Sequence, residues 1–171
     1  MVAAIVREFG GFRIDTMDWP VVLMEFPDRR MSDTDLHAGL SYVEQLWREC
    51  QRMGLKSYQV VDLTYIREIA PASQRRYAAE WIKSTEALMR LVSLGGACVT
   101  PSSILRGIVT AIMWIYKPPN PTEFFATRPQ AYLHAIDQLD RARVPLPPRV
   151  VELRARLLAQ SAPERRSSPR V

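Results

Sequence analysis

One stretch constrains the fold more than any other: residues 91–116, LVSLGGACVTPSSILRGIVTAIMWIY. Its first part, Leu91–Val99, is a short apolar run broken by Gly95 and Gly96, the pattern of a strand buried on both faces. Thr100-Pro101-Ser102-Ser103 punctuates the run. Ser102 can cap the helix that follows, because its hydroxyl can accept a backbone N–H of the first turn. That helix extends to Tyr116 and carries only Arg106 as a charge past its first turn, so it has no broad polar face. A helix apolar nearly all round is buried or docked on something.

The elements around this stretch alternate. Residues 3–9 and 12–16, separated by Gly10-Gly11, read as a strand pair or one interrupted strand. Residues 21–26 form the next strand, antiparallel to them after the Asp18-Trp19-Pro20 turn. Ser32 caps a long helix with Asp33 and Asp35 at its positive end. Leu36, Leu40, Val43, Trp47 and Cys50 make its single apolar stripe, and Gly54 ends it. Residues 57–64, SYQVVDLT, are β-branched and aromatic and belong at the sheet centre.

A helix from about 72 to 90 follows, with Tyr77, Ala78, Trp81, Ile82, Thr85, Leu88 and Met89 on its inner face. Beyond the proline-stiffened residues 117–121 come a short strand at 123–127 and a helix to about 142. Thr127 caps that helix, with Pro129 in its first turn. The order β-β-α-β-α-β-α-β-α predicts an α/β fold: a mostly parallel mixed sheet of about five strands with covering helices. The domain is expected to span 1–143. Residues 144–149 read as a Pro-rich linker, 150–160 as an amphipathic helix, and 161–171 as a disordered basic tail.

Charge separates the same regions. Residues 141–171 carry eight arginines against Glu152 and Glu164, a balance of +6, so the net +5 of the chain leaves −1 for residues 1–140. The basic tail can therefore contact an acidic partner, nucleic acid or an anionic membrane, while the domain itself lacks the charge of a nucleic-acid binder. Cys50 and Cys98 fall within a predicted helix and a predicted strand, as buried thiols of a reducing compartment do. No apolar run approaches the ~20 residues of a spanning helix, and the N-terminus has no signal-peptide pattern. A cytoplasmic location is expected.

Two stretches bear a resemblance. PASQRRYAAEWIKSTEALMR, followed by LGGACVTPSSILRGIVTAIMWIYKPPNPTEFFATRPQAYLHAI, is similar to a group of bacterial proteins described as STAS-like, or SpoIIAA-like. The similarity is carried by Gln74-Arg75-Arg76, Ala79-Glu80-Trp81, Arg106-Gly107, Thr110-Ala111, Trp114 and Phe125-Ala126-Thr127, and covers roughly residues 12–140. It implies a STAS/SpoIIAA-like sheet and a regulatory, protein-binding role, while the related CRAL-TRIO fold binds lipids. In phosphoswitching members a serine just after the central strand, at the next helix start, is modified. Here that place is Ala70-Pro71-Ala72-Ser73, where proline cannot accept phosphate and Ser73 is the serine nearby.

Candidate sites follow from these readings. With two histidines and none of the common catalytic or nucleotide-binding spacings, no catalytic residue, metal ligand or cofactor is expected. Asp62 is a possible buried carboxylate at a strand end, read as an anchor for the loop after it. The helix starts near Ser73 and near Ser102 and Ser103, with Arg75, Arg76 and Arg106, could take a phosphate or a partner's carboxylate, or Ser73 could itself be the phosphoacceptor. On the 103–116 helix, Ile104, Ile108, Ile112 and Ile115 fit one stripe. Ile108, Ile112, Met113, Trp114 and Tyr116 are the expected partner-binding residues, serving a protein partner or a second copy in a homodimer. The expectation is a non-catalytic regulatory module. The alternative, a small apolar-ligand or lipid-binding domain, requires an internal cavity beneath that helix.

Overall fold

Gly10 and Gly11 adopt φ of 56° and 94°, the left-handed pair that closes a tight hairpin. They resolve the N-terminal segment into two strands, β1 (Val6–Phe9) and β2 (Phe12–Asp15). The computed structural model describes residues 2–28, 30–68, 70–115 and 118–161, and these hold a six-stranded sheet in the order β1-β2-β3-β4-β5-β6. β3 (Val21–Glu25) runs antiparallel to β2. β4 (Ser57–Asp62), β5 (Ser93–Val99) and β6 (Thr122–Phe125) then add in parallel, each beside the last. The sheet is thus mixed and mostly parallel, with one strand more than expected because the Gly-Gly break is a turn.

A parallel sheet that grows in one direction through right-handed crossovers places every crossover helix on the same face. α1 (Asp33–Arg52), α2 (Ala72–Ser84), α3 (Glu86–Val92) and α4 (Ser103–Ile115) are those crossovers. Phe12, Ile14, Val22 and Met24 point to this face and pack with Leu36, Leu40, Val43, Trp47 and Cys50 of α1. The alternate strand residues, Val21, Leu23, Tyr58, Val60, Ala97 and Val99, point the other way. There they meet Ala131, Ala135, Ile136 and Leu139 of α5 (Arg128–Arg141). Period-two alternation thus divides the core into two layers.

The caps read from sequence are present. Ser32 Oγ accepts from Asp35 N–H at 3.1 Å, Ser102 Oγ from Leu105 N–H at 3.3 Å, and Thr127 Oγ1 from Gln130 N–H at 3.5 Å. Gly54 follows α1 at φ 65°. Two expectations change. The single helix over 72–90 is broken at Thr85, whose buried hydroxyl donates to Trp81 C=O at 2.7 Å. Such back-bonding competes with the helical ladder and bends it.

The segment beyond residue 143 is also docked on the domain. Val150 and Leu157 of α6 (Pro148–Ser161) are buried in the α5 layer. Arg154 bonds Asp137 at 2.6 Å and Asp140 at 3.2 Å, and Arg149 bonds Asp18 at 2.8 Å. The domain boundary drawn at 143 therefore moves outward to take in α6: a polar stripe of arginines conceals a helix whose opposite face belongs to the core. Of residues 161–171, expected to be a disordered tail, Ser161 ends α6 and 162–171 lie outside the described residues.

Candidate functional site

Two hollows lie in the layer under the crossover helices. The inner one, ≈220 Å³, has the sheet as its floor and α2 and α4 as its roof. Its floor is the set of alternate residues Met24, Gln59, Val61, Gly96, Cys98 and Thr122, all on the crossover face. The hollow arises because β5 and β6 present Gly96, Cys98 and Thr122 where other strands present larger groups. A Cβ added at Gly96 would meet nothing closer than Thr122 Oγ1 at 3.4 Å. Val109 and Met113, one helical turn apart on α4, close the cavity from above.

Trp47 and Trp81 form a side wall, their rings stacked with centroids 5.3 Å apart and planes at 25°. Both indole N–H groups are buried with no hydrogen-bond partner among the described residues. A buried donor without an acceptor costs about 1–3 kcal/mol. The Gln59 and Asn120 amides near the floor are already engaged. Gln59 Nε2 donates to Ser57 Oγ at 2.9 Å, and its Oε1 accepts from Ser93 Oγ. Asn120 Nδ2 donates to Met89 C=O at 3.0 Å and Ser93 C=O at 2.9 Å.

The outer hollow, ≈210 Å³, lies at the carboxyl ends of β3 and β4 beneath the start of α2. Phe26, Leu36, Leu63, Ile66, Ala78 and Ile82 make it apolar, and Arg30, Arg67 and Arg75, with Asp28 and Glu68, stand at its rim. Leu63 and Ile82 line both cavities. Ala78, Trp81 and Ile82 of α2 are accordingly only half-buried, since the helix roofs hollows instead of packing down.

At the same strand ends, Asp62 is 1% exposed. Its Oδ1 accepts from Thr64 N–H at 2.9 Å, the loop anchor read from sequence, while Oδ2 accepts from Arg128 Nε at 2.6 Å. Arg128 Nη2 also donates to Glu25. This three-charge tie fastens the first residue of α5 to β3 and β4. The sequence reading missed Arg128: it lies 66 residues from Asp62 in the chain, and nothing local marks the pair.

The remaining candidates disperse. Ser73 is exposed in the first turn of α2, whose N-cap Pro71 supplies no side-chain bond. Arg75 lines the outer cavity and Arg76 is exposed. Ser102 is occupied as a cap, Ser103 is exposed, and Arg106 donates to Thr100 C=O at 3.4 Å. No described contact joins the Ser73 group to the Ser102 group.

Met113, named among the partner-binding residues, lines the inner cavity, while Ile104 at the start of α4 is 76% exposed. Ser103, Arg106 and Gly107, all exposed, make a small polar side of α4 that turns Val109 and Met113 toward the sheet. Tyr116 and the side chains of Ile108, Ile112 and Trp114 lie outside the described residues. Burial pushes the Cys98 thiol, on the cavity floor, and the Cys50 thiol up to about 12, so both stay protonated at neutral pH.

Among the described residues no group of three or more His, Cys, Asp or Glu side chains is placed to hold a metal ion. No described helix is long and apolar enough to cross a membrane. Comparison of the chain with family models, characterised proteins and solved structures finds no match.

Proposed function

We propose that the protein is a non-catalytic module that binds a small apolar ligand between α4 and the sheet. The observation that carries this reading is the inner cavity itself, walled by two tryptophans and three methionines, Met24, Met89 and Met113. Aromatic faces and adaptable thioethers are the surfaces on which apolar molecules bind without demanding a fixed polar geometry. This reading takes the STAS-like resemblance as one of fold and moves the functional emphasis from a partner surface to the interior.

A second reading keeps α4 as a contact for a protein partner or a second copy, and is favoured by the 76% exposure of Ile104 at the start of α4. The two are compatible, since a helix roofing a ligand can report occupancy on its outer side.

The test is a titration with 1-bromooctane, whose bromine quenches nearby indoles. Saturable quenching is expected, with its amplitude reduced in Trp81→Phe because one of the two wall indoles is then missing. Quenching that rises linearly, without saturation, would contradict an internal site.

A further inference from the structure

We propose that the two cavities hold one ligand, an elongated amphiphile with a single anionic end. Its chain passes Leu63 and Ile82 into the inner cavity, and its charged end rests beside Arg30, Arg67 and Arg75. The inference rests on the reading that the inner cavity binds an apolar molecule, and adds the ligand's length, direction and charge.

Three observations carry it. First, Leu63 and Ile82 are walls of both hollows, so these side chains separate two adjoining spaces instead of layers of packed core. Second, at ≈210 and ≈220 Å³ each space falls short of the ~300–1,000 Å³ usual for ligand sites, whereas the two joined fall within it. Third, the ends differ in chemistry. The inner end is lined by Trp47, Trp81 and Met113, while the outer end has three arginines among its lining residues. None of these arginines forms a salt bridge among the described residues.

Asp28 and Glu68 share that rim and leave it one positive charge in excess. Gln74, also on the wall, has no donor to spare for an anion: its amide nitrogen donates to Met31 C=O at 2.8 Å and to Asp33 at 2.7 Å. Charge recognition thus falls to the arginines, whose forked guanidinium groups suit a carboxylate or a phosphate.

The experiment compares hexadecanoate, hexadecyl phosphate, methyl hexadecanoate and 1-bromooctane on the full chain. Ala78→Phe projects a ring into the outer cavity alone, because Ala78 lines that cavity and not the inner one. It should weaken the long ligands by about tenfold or more while leaving 1-bromooctane within about threefold of wild type. The double variant Arg67→Gln/Arg75→Gln alters exposed side chains and should fold. It should weaken the anionic ligands by about tenfold and leave the methyl ester unchanged.

Tighter binding of hexadecanoate than of hexadecyl phosphate, or the reverse, assigns the end group, and either supports the proposal. Equal loss of short and long ligands in Ala78→Phe, or anion affinity indifferent to the two arginines, would overturn it. If Ala78→Phe does not fold, the arginine variant decides alone. Failure of 1-bromooctane to bind wild type would remove the underlying reading as well, which distinguishes that failure from the others.

Discussion

Arg128→Ala should lower the unfolding free energy by about 3 kcal/mol, the low end of the cost of breaking a buried ion pair from one side. The low end applies because the Arg128 side chain is 35% exposed, whereas its partner Asp62 is 1% exposed. Removing the guanidinium takes away the 2.6 Å bond to Asp62 Oδ2 and leaves that oxygen buried without its countercharge, with Thr64 N–H still on Oδ1. Glu25, at 20% exposure, recovers more of its hydration. For a chain of this length the expected fall in Tm is about 6–12 °C. Asp62→Asn should keep the loop anchor, since an amide oxygen can also accept from Thr64. The double variant should be less damaged than the sum of the singles, by at least about 1 kcal/mol of coupling. Melting within 2 °C of wild type for Arg128→Ala would show that the tie holds α5 in place without contributing to stability.

Gly96→Phe should have the opposite sign on stability and a large effect on binding. Gly96 has no Cβ contact under 3.4 Å, and its φ lies outside the left-handed region that only glycine takes cheaply. A phenylalanine there fits the strand and projects into the inner cavity. Replacing a strand glycine removes unfolded-chain entropy, and burying the ring adds transfer free energy, against some cost of imperfect fit. A net gain of about 1–2 kcal/mol is expected, or about 2–8 °C in Tm. The same ring occupies the ligand's place, so 1-bromooctane affinity should fall by at least about a hundredfold. A variant that is more stable yet does not bind separates the site from the fold. A variant that binds as wild type would place the ligand elsewhere.

Elements with contrast in their pattern were legible in the sequence. α1 alternates apolar and polar positions sharply enough that Leu36, Leu40, Val43, Trp47 and Cys50 are all buried as its stripe requires. The caps at Ser32, Ser102 and Thr127 are local chemistry, readable within four residues. α4 is the counterexample. Its composition says that it must dock, but the polar side made by Ser103, Arg106 and Gly107 is too small to stand out in the sequence, and Met113, named among the partner-binding residues, lines the inner cavity.

The inner cavity was legible only in outline. Gly95-Gly96 marks a strand approached closely by something, yet whether the space above Gly96 is filled depends on helices arriving from α2 and α4. Gln59, a polar residue inside the apolar run of β4, was the one local hint of an unusual interior, since it holds Ser57 and Ser93 at the floor's edge. The Glu25–Arg128–Asp62 tie left no local signal, because it joins strand ends and a helix start far apart in the chain.

The most direct measurement of the central claim is a crystal structure of the protein with 1-bromooctane, reading the anomalous signal of bromine. The account predicts one bromine site between α4 and the sheet, within van der Waals contact of Trp47, Trp81, Gly96 or Met113. Bromine found only on the outer surface, or α4 packed down on β5 and β6 with no space above Gly96, would contradict it.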